Sequence, residues 1–245
     1  MRRALLVVLC VVLPTAALAS AEGVHLDTPY INLGDELSLQ RGAKYFVNYC
    51  LSCHAAGLMR YGRMGADLGL TDTQVKESLM FTAEKVGETM TTAMRPEDAQ
   101  HWFGVAPPDL SLIARARGAD WLYTYLRTFY LDGSRPFGVN NLVFPDVAMP
   151  HVLWKLQGLL KPVYQTHAAE GHEERVIERL ELAQPGVLSP EAYDDMVRDL
   201  VNFLVYVGEP AKMQRQEMGI WVLLYLAVFG VVAYAMKREY WKDVH

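Results

Sequence analysis

Cysteine is scarce in this sequence of 245 residues, which contains three, at positions 10, 50 and 53. Cys10 lies in an N-terminal segment that we expect to be removed, and this leaves only Cys50 and Cys53. Two cysteines so close together cannot cross-link distant parts of a chain, so a disulfide framework is excluded and a cofactor site is favoured. Disorder is excluded as well, because 51% of the residues are apolar and predict a packed core.

Basic residues are in deficit between residues 22 and 210, where 25 Asp and Glu face 16 Lys and Arg, a net charge of −9. This balance argues against a nucleic-acid partner, whose phosphates require basic side chains. It favours the long-range attraction of basic protein partners. Most of the individual charges are nevertheless expected to do no more than solvate helix faces.

The N-terminus has the pattern of an export signal. Two arginines precede an apolar run over residues 4–13, and small-x-small cleavage patterns follow over 17–21. The run is too short to cross a bilayer comfortably, so we expect residues 1–21 to be a cleaved signal peptide rather than an uncleaved anchor. The remainder of the chain would then work outside the cytoplasm.

A second apolar run covers residues 219–236 and contains no charged residue. At about 1.5 Å per residue, a helix of this length covers roughly 27 Å, close to the hydrocarbon thickness of a bilayer. Lys237 and Arg238 follow the run and favour a cytoplasmic C-terminus. We therefore predict an exported domain over 22–210, a transmembrane anchor with its flanks over 211–241, and a cytoplasmic stub over 242–245.

Helical patterns dominate the exported domain and predict a mainly α fold. One helix is predicted just before Cys50 and another over 191–207, where Ser189 and Pro190 provide a strong start. Gly42 in the first helix would let another helix cross closely, and we expect its partner to be the 191–207 helix. Further helices are predicted after Thr71, which with Gln74 forms a capping-box pattern, after Asp109 as an N-cap, and over 120–130.

The segment 131–150 is rich in Gly, Pro and Asn and predicts a long loop. No convincing sheet is predicted, although a hairpin has room near 132–146.

Residues 50–54 have the sequence Cys-Leu-Ser-Cys-His, the C-x-x-C-H pattern of covalent haem attachment. Two thiols at this spacing can add to the two vinyl groups on one side of a porphyrin, and His54 is then near enough to ligate the iron. A zinc site would need a second pair of ligands, and a thioredoxin-like pair would follow a strand rather than a helix. We therefore predict one haem c, held by Cys50, Cys53 and His54.

The second axial ligand is expected to be Met or His. Met149 leads because it lies late in the long loop and Pro150 restricts it to an extended backbone, and His151 is the main alternative. Met80 and Met196 fall on helix faces, where a methionine usually packs in the core. The remaining candidates are Met59, Met64, Met90, Met94, His101, His167 and His172.

Several further motifs follow one another along the chain. In order they are Arg41-Gly42 before the C-x-x-C-H pattern, APPDLS over 106–111, RAR over 115–117, AMP over 148–150, Glu209-Pro210, Arg215 and Met218, and YAMKR over 234–238. In this order they resemble the cytochrome c1 family, the haem-c subunit of the cytochrome bc1 complex (ubiquinol–cytochrome c reductase). The resemblance covers nearly the whole chain after the signal.

The resemblance implies a class I cytochrome c-like haem domain with long loop insertions, followed by one C-terminal transmembrane helix. It implies that Met149 is the sixth ligand of the iron, opposite His54. It also implies that Pro108 lines the haem pocket and that Arg117 contacts a haem propionate, which suits a guanidinium. The alternative for Arg117 is a cation favoured by the dipole at a helix C-terminus.

The function implied is the relay of single electrons from a Rieske iron–sulphur protein to a soluble cytochrome c, in a respiratory complex that also contains a cytochrome b. We expect a dimeric complex in the bacterial inner membrane, with the haem domain in the periplasm. No acid–base pair or nucleophile is recognised, so the chain is expected to be a redox subunit and no enzyme on its own. The alternatives are a membrane-anchored c-type cytochrome that feeds a terminal oxidase, a peroxidatic or ligand-binding haem protein, and an assembly subunit.

Overall fold

The structure is a computed structural model that describes residues 24–169 and 172–243. The predicted signal peptide lies outside the described residues, and so does the end of the predicted stub. Helices predominate in the described part, as predicted. In chain order the elements are α1 (Glu36–Tyr45), a π-helical turn (Phe46–Cys50), β1 (Ala56–Arg60), α2 (Tyr61–Asp67), α3 (Asp72–Ser78), β2 (Thr89–Met90), α4 (Pro96–Phe103), α5 (Ile113–Arg117), α6 (Ala119–Arg127), β3 (Phe129–Leu131), β4 (Val139–Asn141), α7 (Trp154–Gln157), β5 (Gly158–Ala169), β6 (His172–Pro185), α8 (Pro190–Gly208) and α9 (Lys212–Tyr240).

The helix starts predicted from capping residues are confirmed at two of three positions. Thr71 and Gln74 form the reciprocal capping box at the start of α3. The Ser189 side chain accepts a hydrogen bond from the Ala192 N–H at the start of α8. Asp109 is not a helix cap, because α5 begins only at Ile113.

The prediction that the domain lacks a sheet is wrong. Within the described residues there are three two-stranded antiparallel sheets, which pair β1 with β2, β3 with β4, and β5 with β6. The β3–β4 pair is the hairpin for which the sequence left room, and it aligns Phe129 with Asn141 and Leu131 with Val139.

The β5–β6 pair is a long ribbon that the sequence did not predict. Its register is shifted between Leu159 and Leu160 and again between Val163 and Tyr164, and each shift breaks the alternation of apolar and polar residues by which a strand is recognised. Pro162 lies inside β5, where proline disfavours a strand assignment. The acidic residues of 173–181 belong to β6 and not to a helix.

The core is built where α1 crosses α8. A Cβ atom on Gly42 would lie 2.2 Å from the carbonyl oxygen of Asp199 and 2.6 Å from Cβ of Phe203, so only glycine permits this approach. Next to it the rings of Phe46 and Phe203 pack at 5.7 Å between centroids, and both are fully buried. The predicted close crossing at Gly42 is therefore confirmed.

A buried polar network closes the same crossing. The Asp199 carboxylate, 3% exposed, accepts hydrogen bonds from the Ser38 hydroxyl at 2.7 Å and from Arg41 at 2.5 and 3.1 Å. The Asn202 amide donates to the Ser38 hydroxyl at 3.0 Å and to the Asn32 carbonyl at 2.9 Å. Each buried polar group is thus satisfied, as a stable interior requires.

The last helix, α9, contains the predicted transmembrane run in its middle. Among the residues that the structure describes, it is the one helix long and apolar enough to cross a membrane, and none of its apolar stretch is buried by the rest of the chain. Just before α9, the Glu209 carboxylate lies 2.6 Å from Arg215 of α9 and 3.9 Å from Arg115 of α5.

Candidate haem-binding site

A cavity of about 340 Å³ lies beside the helix crossing. Its walls are almost entirely apolar and come from the π-helical turn, the end of α4, helices α5, α6 and α8, and three irregular segments. Residues that line the cavity include Cys50, Cys53, His54, Val105, Pro108, Arg117, Trp121, Tyr125, Phe144 and Met149. All six site residues predicted from the sequence are therefore brought to one cavity.

The two cysteines reach the cavity through the π-helical turn that ends at Cys50. The backbone N–H groups of Cys53 and His54 both donate to the Cys50 carbonyl, at 3.0 and 2.8 Å, which fixes the tight turn of the motif. Burial raises the pKa of the Cys50 thiol to about 12. The motif follows α1 and the π-helical turn, whereas a thioredoxin-like pair follows a strand, so the structure argues against that alternative.

The His54 ring is oriented by a backbone carbonyl. Its Nδ1 lies 2.8 Å from the Pro108 oxygen, and because a carbonyl only accepts, Nδ1 carries the proton. Nε2 is left with its lone pair, which is the arrangement of a metal-ligating imidazole. Burial also lowers the pKa of His54, which favours the neutral ring that a metal requires.

Asp109 and Ser111 hold the carbonyl of Pro108 in place, a role that the sequence did not indicate. The Asp109 carboxylate accepts from the backbone N–H of Gly57 at 2.8 Å and of Ser111 at 2.7 Å. The Ser111 hydroxyl accepts from the Leu58 N–H at 3.0 Å. The APPDLS motif thus binds to the chain just after the C-x-x-C-H motif instead of starting a helix.

Met149 lines the cavity, whereas His151 does not. The Met149 sulfur accepts a hydrogen bond from the Tyr125 hydroxyl at 3.3 Å. The His151 ring is 6% exposed and stacks on Phe129 at 4.9 Å between centroids, with an interplanar angle of 2°. Of the two leading candidates for the sixth ligand, only Met149 is brought to the cavity that holds His54.

The other candidate ligands whose side chains the structure describes do not line this cavity. Four of these methionines are core residues, each at most 2% exposed, namely Met59, Met64, Met90 and Met196. Met80, Met94 and His101 are likewise absent from its walls. The side chains of His167 and His172 lie outside the described part of the chain.

Arg117 is the last residue of α5 and places its guanidinium at the rim of the cavity. The guanidinium carbon lies 5.1 Å from the centre of the Trp121 ring and 5.9 Å from that of Phe144, a cation–π arrangement. Within the described residues no carboxylate lies within 4 Å of its nitrogens. The group is therefore available to an external anion, although its place at a helix C-terminus also fits the dipole alternative.

These residues fit haem c. The apolar walls suit the porphyrin plane, two thiols at the required spacing suit its vinyl groups, and the guanidinium suits a propionate. The imidazole and the thioether are the two axial ligands that electron carriers use. Among the described residues, no group of three or more His, Cys, Asp and Glu could hold a metal ion in another way.

Comparisons with known proteins agree with this site. The sequence model of the Cytochrome C1 family matches residues 29–158 and 187–244. The chain is 49% identical over 245 residues to cytochrome c1 of Allochromatium vinosum, with 100% of both chains covered. It is also 49% identical over 234 residues to a Nitrosomonas europaea protein named ammonia monooxygenase gamma subunit, covering 95% of this chain and 94% of that one.

Among solved structures, a chain of a "Hyperthermophilic respiratory Complex III" is similar, with a TM-score of 0.42 and 17% identity over 91% of this chain and 89% of that chain.

The family match includes every residue of the site and leaves out 159–186, which is nearly the whole β5–β6 ribbon. The full-length identity to a cytochrome c1 extends the likeness across both parts. The chain belongs to the cytochrome c1 family, whose members carry one covalently bound haem c and are electron-transfer subunits of the cytochrome bc1 complex.

Proposed function

We propose that Cys50 and Cys53 hold the haem through thioethers, that His54 and Met149 ligate its iron, and that Arg117 binds a propionate. The observation that carries this assignment is that Met149, and not His151, shares the cavity with the C-x-x-C-H motif. When bound, haem c supplies a one-electron redox couple, and Met/His ligation gives it the raised potential of an electron carrier.

The chain's own residues make the site suitable for electron transfer and unsuitable for substrate chemistry. His54 and Met149 would both bind the iron, which would leave no position for a substrate. The apolar walls exclude water, and the proton on His54 Nδ1 stays in its hydrogen bond to Pro108. By this proposal the chain is a redox subunit of quinol–cytochrome c reductase and catalyses nothing on its own.

The partners that we propose are a Rieske iron–sulphur protein as donor and a soluble cytochrome c as acceptor, beside a cytochrome b in a dimeric complex. The net charge of −9 over 22–210 favours a basic acceptor. At the cavity, Val105 and Phe144 are 49% and 44% exposed, which allows a partner protein to approach the haem closely.

The placement that we propose is a single-pass protein of the bacterial inner membrane, with the haem domain (22–210) in the periplasm after removal of residues 1–21. Residues 211–241 anchor it and 242–245 are cytoplasmic. Support comes from the length and exposure of α9 and from the basic residues that follow its apolar run. We also propose a class I cytochrome c-like fold with loop insertions, supported by the close crossing of α1 and α8 beside the haem motif.

The ligand assignment is tested by Met149→Leu, with Met196→Leu as control because Met196 is a buried methionine outside the cavity. We expect Met149→Leu to lower the haem potential sharply and to block quinol–cytochrome c turnover, while Met196→Leu retains both. A potential unchanged in Met149→Leu would exclude this residue as the ligand.

The complex itself is tested by purifying the full chain from membranes in mild detergent. We expect b-type haem and iron–sulphur signals to accompany it. Co-purification with an oxidase instead would support the alternative of a cytochrome that feeds a terminal oxidase.

A further inference from the structure

The sulfur of Met149 has a hydrogen-bond donor of its own. The Tyr125 hydroxyl donates to it at 3.3 Å, and the Tyr125 side chain is nearly buried, at 9% exposure. A buried tyrosine hydroxyl normally pairs with an oxygen or nitrogen, whereas a thioether is a weak acceptor. This contact therefore has little value for stability alone and points to a role at the sulfur.

Aromatic contacts on two sides of the Tyr125 ring fix the direction in which its hydroxyl points. It stacks on Trp121 at 4.8 Å between centroids with an interplanar angle of 10°. On its other side it meets the edge of Phe129 at 5.1 Å and 68°. Two aromatic contacts at these angles leave the ring little freedom to rotate away from Met149.

The backbone of Tyr125 is also tied to the segment that leads to Met149. The fully buried Asn141 donates from its side-chain amide to the Tyr125 carbonyl at 2.8 Å. Its side-chain oxygen accepts from the backbone N–H of Val143 at 2.9 Å and of Phe144 at 3.1 Å. One amide thus connects α6 with the loop that carries the ligand, so hydroxyl and sulfur are positioned together.

We propose that Tyr125 is a positioning residue that raises the reduction potential of the haem iron through Met149. The hydrogen bond withdraws electron density from the sulfur and weakens its donation to the iron, and this disfavours the oxidised state. One electron enters or leaves, and no proton moves. The inference rests on the proposed ligation by Met149.

Hydrogen bonds to the ligands are a recognised means by which a protein sets a haem potential. The ordinary pKa of a tyrosine hydroxyl is about 10, so the group is a donor at neutral pH.

The test is Tyr125→Phe in the full-length, membrane-anchored chain, which removes the hydroxyl and retains the stacked ring. Tyr193→Phe is the matched control, because the Tyr193 hydroxyl is also buried but donates to the Leu126 carbonyl at 2.8 Å and lies outside the cavity. The measurements are the midpoint potential by redox titration, the sulfur-to-iron charge-transfer band of the oxidised protein, and the thermal midpoint.

We expect Tyr125→Phe to favour the oxidised state about fivefold, a fall of about 40 mV at 59 mV per tenfold change for one electron, and to shift the charge-transfer band. Tyr193→Phe should lower the thermal midpoint and leave the potential and the band as they are. An unchanged potential in Tyr125→Phe would overturn the proposal, and so would an equal fall in both variants, which would indicate a general effect of a lost buried hydroxyl.

The failure of the ligand assignment gives a different result. If Met149 does not bind the iron, the charge-transfer band is either missing from the unsubstituted protein or retained in Met149→Leu, and both proposals are overturned together. If the band is present and is lost in Met149→Leu but unmoved in Tyr125→Phe, only the role of Tyr125 is overturned.

Discussion

The α1–α8 crossing and the β5–β6 ribbon are supported in different ways. At the crossing, backbone approaches backbone at Gly42 and every polar group has a buried partner. Along the ribbon, Tyr164, Val176 and Leu182 are 45%, 44% and 48% exposed, and two strands alone are marginally stable in water. The family model matches both helices and omits residues 159–186, so the part that the family model describes is the part that shapes the cavity.

We call the end of the ribbon at Gly158 and Pro185 its root. The root is packed as closely as the α1–α8 crossing, whereas the distal strands are not. Gly158 has a φ of +95°, and a Cβ atom there would lie 2.2 Å from the Gln184 carbonyl oxygen. The backbone N–H of Val187 donates to the Lys155 carbonyl at 2.9 Å, and that of Leu188 donates to Leu156 at 3.1 Å. Four predictions test where the tightly packed part of the molecule ends.

The largest effect is expected from Asp199→Ala, which removes the acceptor at the centre of the crossing. The Ser38 hydroxyl would lose the acceptor of its proton and Arg41 its carboxylate, so we expect a loss of about 2–4 kcal/mol in the free energy of unfolding. The control is Asp195→Ala on the same helix, whose exposed carboxylate pairs with Arg198 at 2.8 Å, and which should cost less than about 1 kcal/mol. Denaturant unfolding that gives equal losses would contradict the buried network.

The next largest effect is expected from Gly42→Ala. The added methyl group overlaps the backbone of α8, so the helices must separate, at a cost of about 1–3 kcal/mol. Gly133→Ala is the control, because a Cβ atom there meets nothing within 4 Å. Thermal unfolding should separate the two variants clearly, and an unaltered midpoint in Gly42→Ala would mean that the helices are further apart.

A smaller, pH-dependent effect is expected from His151, three residues before α7. Burial lowers its pKa from 6.5 to about 4. Below about pH 6.5 the unfolded chain binds a proton that the folded chain does not bind until about pH 4, so stability is lost as the pH falls through this window. Between pH 7 and 5 the unsubstituted protein should lose about 1–2 kcal/mol more than His151→Gln. The free energy of unfolding is measured by denaturant titration at each pH. An equal loss in the two proteins would show that the His151 ring is accessible to protons in the folded state.

The smallest effect is expected from shortening the ribbon. Replacing residues 166–175 by Asn-Gly joins Gln165 to Val176, which face each other in the register, through a favoured hairpin turn. The root is retained, so the free energy of unfolding should change by less than about 0.5 kcal/mol. Covalent haem content and the absorption spectrum should be unchanged. A lower haem content would show that the distal strands support the cavity.

The features that the sequence revealed are those with a local signature. The C-x-x-C-H motif predicts the attachment residues because the spacing itself carries the chemistry. Thr71 with Gln74 marks a helix start because its capping bonds are local. Gly42 indicated a close helix crossing, because a glycine inside a helix has few functions other than to let another element approach closely. Pro108, Arg117 and Met149 were indicated by a family resemblance, and the structure brings all three to the cavity.

The features that the sequence concealed depend on distant partners. Tyr125 and Met149 are 24 positions apart, and no pattern in either segment indicates that a hydroxyl meets a sulfur. Asp109 has the residue type of a helix cap, but its carboxylate binds the backbone 52 positions earlier. The ribbon was missed because its register shifts disrupt the alternation on which strand recognition depends.

The bond between His54 and Pro108 has a consequence for how the protein matures. The two thiols belong to the first quarter of the chain, whereas the carbonyl that sets the imidazole comes 54 positions after His54. If Cys50 and Cys53 hold the haem as proposed, covalent capture of the porphyrin and alignment of the His54 ring would be separable events in biogenesis. A chain that ends before Pro107 and Pro108 would then retain its haem, while the His54 ring would be free to rotate.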